Sequence, residues 1–154
     1  MINEKIKIRK SNKEKAPIEL LLLADPSEKS IKKSLKNGSS FVALNNDEIV
    51  GAYILVSQKK GTLEIVNIAV PEGMQNKGIG KLLVADAIKR AKKAGAKKLL
   101  VGTGNSSLNQ LAFYKKCGFV ICGTKKDYFI KKYEKPIFEN GVRCRDMIRL
   151  EMDL

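Results

Sequence analysis

Residues 71–80, Pro-Glu-Gly-Met-Gln-Asn-Lys-Gly-Ile-Gly, lie between a stretch of strand character and a stretch of helix character. Glycines at such a junction let the chain turn so that successive N–H groups converge. The first turn of the following helix adds unpaired amides and the positive end of its dipole. The chemistry this suits is phosphate binding. Two common phosphate loops are excluded by spacing. A Walker loop needs G-x-x-x-x-G-K-[ST], and although Gly73 and Gly78 have the right gap, Ile79 stands where lysine is required. A dinucleotide fingerprint needs G-x-G-x-x-G, and Gly78-x-Gly80 is followed at the third place by Leu83. Gly102-Thr103-Gly104-Asn105-Ser106-Ser107 is a second near miss, again without its third glycine; its glycines either turn the chain or cradle an anion.

The 154-residue chain contains no histidine. That absence removes Ser-His-Asp and Cys-His triads, histidine metal sites and imidazole shuttles, so proton transfer falls to Glu, Asp, Tyr, Lys, Cys or water. Cys117, Cys122 and Cys144 are odd in number and lack a C-x-x-C spacing. Neither a zinc knuckle nor a disulfide framework is suggested, and reduced thiols in a cytoplasmic protein are expected. Cys117 as an acyl-carrying nucleophile has no base partner, and a lone helical cysteine is ordinarily a packing residue. Thirty Lys and Arg against 16 Asp and Glu give a net charge of +14, which favours anionic partners. The lysine pairs, Lys32-Lys33, Lys59-Lys60 and Lys131-Lys132 among them, are spread along the chain as on a solvated basic surface. Met1–Lys5 carries no apolar leader core, and the densest apolar run, Leu20–Ala24, is far shorter than the ~20 residues that cross a bilayer. A soluble protein without a membrane partner is expected.

Ordered elements must position these residues, and 44% hydrophobic content over 154 residues suits a single domain, 1–154. Ile6 and Ile8 alternate with Lys5, Lys7 and Arg9 as a half-buried first strand. Pro17 opens a short helix through Ile18, Leu21 and Leu22. Asp25-Pro26-Ser27-Glu28 has the form of a capping box, with proline at the first helical position, for a second helix through Ile31 and Leu35 that stops at Gly38. Residues 41–44, 49–56 and 62–70 read as strands of an antiparallel meander, the last ended by Pro71. Ile79, Leu82, Leu83, Ala87, Ile88, Ala91 and Ala94 then recur at helical spacing up to Gly95. A strand over 97–102, a helix over 107–117 stopped by Gly118 and a strand over 119–122 follow, and residues 144–154 alternate as a final strand. Right-handed crossover makes 62–70 and 97–102 parallel neighbours. An exposed final strand would allow a homodimer in place of a monomer.

Gln75-x-x-Gly78-x-Gly80, set between the strand Leu63 to Val70 and the helix Lys81 to Ala94, resembles the acetyl-CoA signature of the GNAT acetyltransferase superfamily. One strand later, Asn109, Tyr114, Gly118 and Phe119 are similar to that family's N-x-x-x-x-Y-x-x-x-G-F segment. The resemblance is specific over residues 62–120, and the tail from Glu139 to Leu150 also looks like a bacterial subgroup. It implies an α+β fold: a central mixed, mostly antiparallel sheet of six to seven strands, flanked by about four helices and splayed between the strands at 62–70 and 97–102. It implies acetyl-CoA as acyl donor, a primary amine on a protein, peptide or small molecule as acceptor, direct transfer, and no metal.

The family also assigns tasks to residues. The pyrophosphate of CoA is expected on the amides of Gln75, Asn76, Lys77, Gly78, Ile79, Gly80 and Lys81, with the Lys77 and Lys81 side chains adding positive charge. Free N–H groups of Asn67, Ile68, Ala69 and Val70 are expected to take the pantetheine and the thioester oxygen. Asn109 is expected to bond the pantetheine amides, the plainer reading being a helix-start polar residue. Tyr114 stands in the general-acid position, the plainer reading being a core-edge tyrosine. Glu64 is the candidate general base, acting through an ordered water, or else a solvated strand carboxylate. Asp146 and Glu139 are held in reserve, as bases or as a grip on a cationic acceptor.

Two other readings compete. A basic nucleic-acid or ribosome-associated module rests on the +14 charge alone, and the aromatic residues mostly fall at apolar periodic positions instead of between lysines. A CoA-binding regulator without turnover would keep the loop and have Tyr114 and Glu64 poorly placed. For an acetyltransferase, a cationic surface gives a neutral or acidic acceptor an edge over polyamines, unless carboxylates such as Glu64, Glu139 or Asp146 line the mouth.

Overall fold

A computed structural model describes residues 6–154. The Met1–Lys5 segment, and with it the Lys5 end of the expected first strand, lies outside the described residues. The chain runs β1 (Ile6–Ser11), α1 (Ile18–Leu21), α2 (Glu28–Asn37), β2 (Gly38–Asn45), β3 (Glu48–Lys59), β4 (Thr62–Ala69), α3 (Ile79–Lys93), β5 (Lys98–Gly104), α4 (Leu108–Lys116), β6 (Val120–Lys125), α5 (Tyr128–Lys132), β7 (Phe138–Glu139), β8 (Val142–Arg143) and β9 (Met147–Asp153). Seven strands form one sheet in the order β1-β2-β3-β4-β5-β9-β6, while β7 and β8 pair as a separate hairpin. Every neighbouring pair in the sheet is antiparallel except β4 and β5, the crossover pair. No helix among the described residues is long and apolar enough to cross a membrane.

The sheet separates two apolar layers, as alternation along its strands requires. On one face Ile79, Leu83, Val84, Ala87 and Ala91 of α3 pack onto Phe41, Tyr53, Leu55, Ile65, Leu99 and Leu150, with Tyr114 and Phe119 from the α4 region. On the other face Leu21, Ile31 and Leu35 of α1 and α2 cover Val42, Ala52 and Ile54. Phe41 and Val42, adjacent in β2, go to opposite layers. The core is thus built largely from aliphatic residues, with Tyr53 and Phe41 stacked at 4.9 Å between centroids.

Four expectations need correction. Helix α2 is capped by Ser27, whose hydroxyl accepts the Ser30 amide at 3.1 Å, and not by Asp25; Asp25 accepts the Ser27 amide instead and leaves Pro26 outside the helix. Helix α3 begins at Ile79, two residues before Lys81, because Gly78 turns into it at a φ of 86°. The final strand is shorter than 144–154, and it is not at an edge: β9 is inserted between β5 and β6, so the edges are β1 and β6. Finally, the segment between β6 and β9 carries α5 and the β7–β8 hairpin, neither of which the sequence reading placed. That hairpin turns through Asn140-Gly141, both at positive φ, the dipeptide that favours such turns.

The segment 126–146 is held over the end of β5 mainly by one side chain. Asn105 Oδ1 accepts the amides of Arg145 (2.7 Å) and Asp146 (3.0 Å), its Nδ2 donates to the Arg143 carbonyl (3.3 Å), and its own amide reaches the Asp146 carbonyl (2.9 Å). Asp146 in turn accepts the Asp127 amide at 2.8 Å, and the Phe129 amide donates to the Arg145 carbonyl. Close approach explains the near-miss glycines: a Cβ on Gly102 would lie 2.7 Å from Met147 Sδ, and one on Gly104 would lie 2.4 Å from Cys144 Sγ. These glycines make room for the covering segment. Asn105→Ala strips two backbone amides of their acceptor and should cost about 1–3 kcal/mol. Its expected signature is hydrogen exchange that accelerates across 126–146 before the sheet opens.

Candidate active site

The β4–β5 ladder pairs Thr62 with Lys98 through Ile65 with Val101, and stops. Its end coincides with an irregularity on the opposite edge of β4. There Leu55 faces Ile65 but Ile54 faces Asn67, so Val66 is the extra residue of a β-bulge. A bulge bends and twists its strand, and β4 departs from β5 at that residue. From Val66 to Ala69 the β5 side of β4 carries no ladder, and Gly102–Gly104 pair only with β9. A cleft of about 450 Å3 fills the gap, between Ile65–Ile68 and Val101–Gly104, with Ser107, Gln110 and Tyr114 contributed by the α4 region. Bare backbone edges beside apolar walls suit an extended, amide-bearing ligand.

The glycine loop stands beside this cleft. Gln75 donates its side-chain Nε2 to the Val70 carbonyl at 3.0 Å, tying the loop to the end of β4, and its backbone amide is bonded to Glu72. Gln75 is therefore a brace, and the free amides begin at Asn76. Asn76 and Gly78 take φ of 62° and 86°, and Gly78 caps α3 without a side-chain bond. Among the described residues, the amides of Asn76, Lys77, Gly78, Ile79, Gly80 and Lys81 donate to no group of the protein. Such a nest at a helix start is an anion site. The Lys77 and Lys81 residues are exposed around it. Helix α3 lies against α4 here: a Cβ on Gly80 would meet Cζ of Phe113, the neighbour of Tyr114, at 3.4 Å.

Tyr114 is buried, with the rings of Phe113 and Phe119 centred 5.3 and 5.9 Å away. Burial chiefly, and then the neighbouring Cys117, pushes its phenol above the ordinary tyrosine value, so it holds its proton. The Cys117 thiol is also pushed up by burial, against the opposing pull of Lys81; a thiol that stays protonated is packing and not a nucleophile. Asn109 is exposed on the first turn of α4, and its neighbour Gln110 is the one that lines the cleft. Ile68 lines the cleft, Ala69 is buried at the end of β4, and Val70 receives the Gln75 brace.

Glu64 opens on a second cleft of about 430 Å3 on the α2 side of the sheet. The two clefts share Asp25, Ile65, Val66, Gly102, Tyr128, Lys132 and Met147, so they meet at the bulge. Gln58 Nε2 at 2.9 Å and Arg149 Nη2 at 3.4 Å both donate to Oε1 of Glu64, and Oε2 has no donor among the described residues. Of the reserve carboxylates, Glu139 lines the first cleft and accepts the Ser107 hydroxyl there at 2.7 Å, whereas Asp146 holds the covering segment. Among the described residues no group of three or more His, Cys, Asp or Glu is arranged to hold a metal ion.

Sequence reasoning missed Tyr133 and Arg149, and it placed only the backbone amide of Asn67 and not its side chain. Asn67, nine-tenths buried, donates Nδ2 to the Leu21 carbonyl at 3.0 Å, which leaves its Oδ1 with no partner among the described residues. Tyr133 reaches across from the covering segment and donates its hydroxyl to Asp25 at 2.7 Å. Arg149 comes from the last strand. Nothing in the sequence marks the Asn67 side chain or Arg149, since both depend on packing between distant segments.

A sheet parted at a bulge beside a cradle of free amides is the arrangement that the acyl-CoA-binding resemblance implies. The comparisons agree. Residues 8–119 match the model of the Acetyltransferase (GNAT) family, and the chain belongs to that family. It is 52% identical over 136 residues, 88% of each chain, to the uncharacterized N-acetyltransferase YvbK of Bacillus subtilis (strain 168). Among solved structures it is similar to an IAA acetyltransferase from Bacillus cereus ATCC 14579 at 51% identity (TM-score 0.94; 97% of this chain, 99% of that one). It is similar also to a GNAT family acetyltransferase from Elizabethkingia anophelis with acetyl-CoA bound, at 46% identity (TM-score 0.96; 98% and 99%).

Gly80→Glu places a carboxylate on the amide cradle and a side chain against Phe113. Isothermal titration with acetyl-CoA should show affinity falling by about two orders of magnitude or more, while the far-ultraviolet dichroism stays that of the parent.

Proposed function

We propose that this protein transfers an acetyl group from acetyl-CoA to a primary amine directly, within a ternary complex. The observation that carries the proposal is the interrupted β4–β5 ladder opening beside the free amides of residues 76–81. The pyrophosphate sits on those amides, and the pantetheine lies along the bare edge of β4 as a surrogate strand. Ile68 to Val70 supply N–H donors for the thioester oxygen, and one well-aimed donor of this kind is worth ~3 kcal/mol in the transition state.

The acceptor enters from the second cleft. Glu64, through Oε2 and a water, takes one proton from the ammonium; the neutral nitrogen bonds to the acetyl carbon, the C–S bond breaks, the departing thiolate takes the Tyr114 proton, and the second proton shed by the new amide nitrogen returns through water to the Tyr114 oxygen. A phenol raised by burial remains suited to this step, because the thiolate formed in the same dry cleft also gains proton affinity. The Asn67 Oδ1 accepts an N–H from pantetheine or amine. A protein that binds acetyl-CoA and releases no thiol with any amine would instead be a regulator.

The test follows free thiol while the protein, acetyl-CoA and a panel of amines are mixed. Tyr114→Phe should lower turnover by about 100-fold or more with acetyl-CoA affinity near normal. In the parent, the rate should show no decline at high pH that belongs to Tyr114, since its ionisation is displaced upward. Turnover unchanged in Tyr114→Phe at all pH values removes the acid role.

A further inference from the structure

The lining of the second cleft carries more positive than negative charge. Lys59, Lys125, Lys132 and Arg149 face Asp25 and Glu64 across it, and both carboxylates already have donors. Asp25 Oδ1 accepts the Tyr133 hydroxyl and the Ser27 amide, and Glu64 Oε1 accepts Gln58 and Arg149. Arg149 is different. Its side chain is 20% exposed, its one bond is a long 3.4 Å contact through Nη2, and its other N–H groups meet no acceptor among the described residues. A largely buried guanidinium with unused donors, lining an open cleft, suits a carboxylate. Lys132, whose Nζ donates to the Tyr128 hydroxyl at 3.0 Å, stands at the junction of the two clefts and adds to the same positive field. The free Oε2 of Glu64 lies beside Arg149, so an anion site and a cation site adjoin.

We propose that the acceptor is a zwitterion of the amino-acid class, its ammonium on Glu64 and its carboxylate on Arg149. The proposal rests on the acetyl-transfer reading and narrows it. The two protein charges are neighbours, which matches a ligand whose own charges are a few bonds apart. It disfavours polyamines, which meet the lysines without a carboxylate to answer them, and internal lysines of proteins, which carry no carboxylate at that spacing. Transfer proceeds by the bonds already written. Acetylation removes the positive charge that Glu64 held and leaves the carboxylate, so the product loses one of its two anchors.

The experiment sets the twenty L-amino acids each against its own α-carboxamide. Two readouts are taken on the same protein: thiol release with acetyl-CoA, and the change in melting temperature of the CoA-loaded protein. The carboxamide amine is the less basic and the more readily deprotonated, so without recognition it reacts faster. The expected result is at least one amino acid preferred over its carboxamide by about tenfold or more, a preference that Arg149→Gln brings to near unity and Arg149→Lys partly restores. Lys132→Gln, an exposed position, should lower the same ratio several-fold and serves if the Arg149 variants do not fold. Carboxamides equal to or better than every acid, an acid preference that survives Arg149→Gln, or no binding by any member overturns the proposal. An acid-selective rise in melting temperature without thiol release keeps the zwitterion site and removes acetyl transfer. Thiol release with neutral amines and no acid preference does the reverse.

Discussion

Two strands that begin as hydrogen-bonded neighbours part after four residue pairs, and the rest of the molecule is arranged around that parting. Backbone groups on the freed edges need partners, and neither strand can close the gap, because the bulge at Val66 turns β4 away while Gly102–Gly104 are committed to β9. Side chains from both faces of the sheet converge on the opening. Tyr114 arrives from the α4 face and Glu64 from the α2 face, so in the proposed reading a donor and an acceptor approach the same gap from opposite sides of one sheet. Direct transfer needs that geometry: the nucleophile must reach the acyl carbon while the leaving sulfur points the other way.

The charge of the chain is divided between these approaches. On the donor side it is local and mainly backbone in origin, the amides of 76–81 acting with the helix dipole and with Lys77 and Lys81 around them. On the acceptor side it is carried by side chains, with Arg149 beside Glu64. Most other lysines among the described residues lie on exposed surface with few ion pairs, which fits weak long-range attraction for anions better than a built nucleic-acid face.

How far the sequence revealed this depends on whether the feature is local. β1 to β6, α3 and α4 were legible because alternation, helical spacing and the Pro71, Gly95 and Gly118 breaks are properties of short windows. The glycine loop was legible for the same reason, down to the residues that supply free amides, although Gln75 proved to be a brace. The parting of β4 from β5 entered through family resemblance alone. Its accompanying bulge is a matter of register between β3 and β4, and Val66 looks like any other strand residue. The contact between Glu64 and Arg149 spans 85 positions and exists because β9 inserts beside β5. Short α5 has too few residues to show a period, whereas Asn140-Gly141 was a readable hairpin signal that went unused.

The family match ends at residue 119, yet Tyr128, Lys132, Tyr133, Met147 and Arg149 all lie beyond it, on the cover and the last strand. Under the proposed reading the acceptor cleft draws on both stretches, Asp25, Lys59 and Glu64 from the matched one and Lys125, Lys132 and Arg149 from beyond it, with Asn105 on the end of β5 tying the two together. Such a layout lets evolution retool one half of that cleft in the final thirty-odd residues while the loop at 76–81 stays untouched. Grafting experiments between family members have a natural seam just after Phe119.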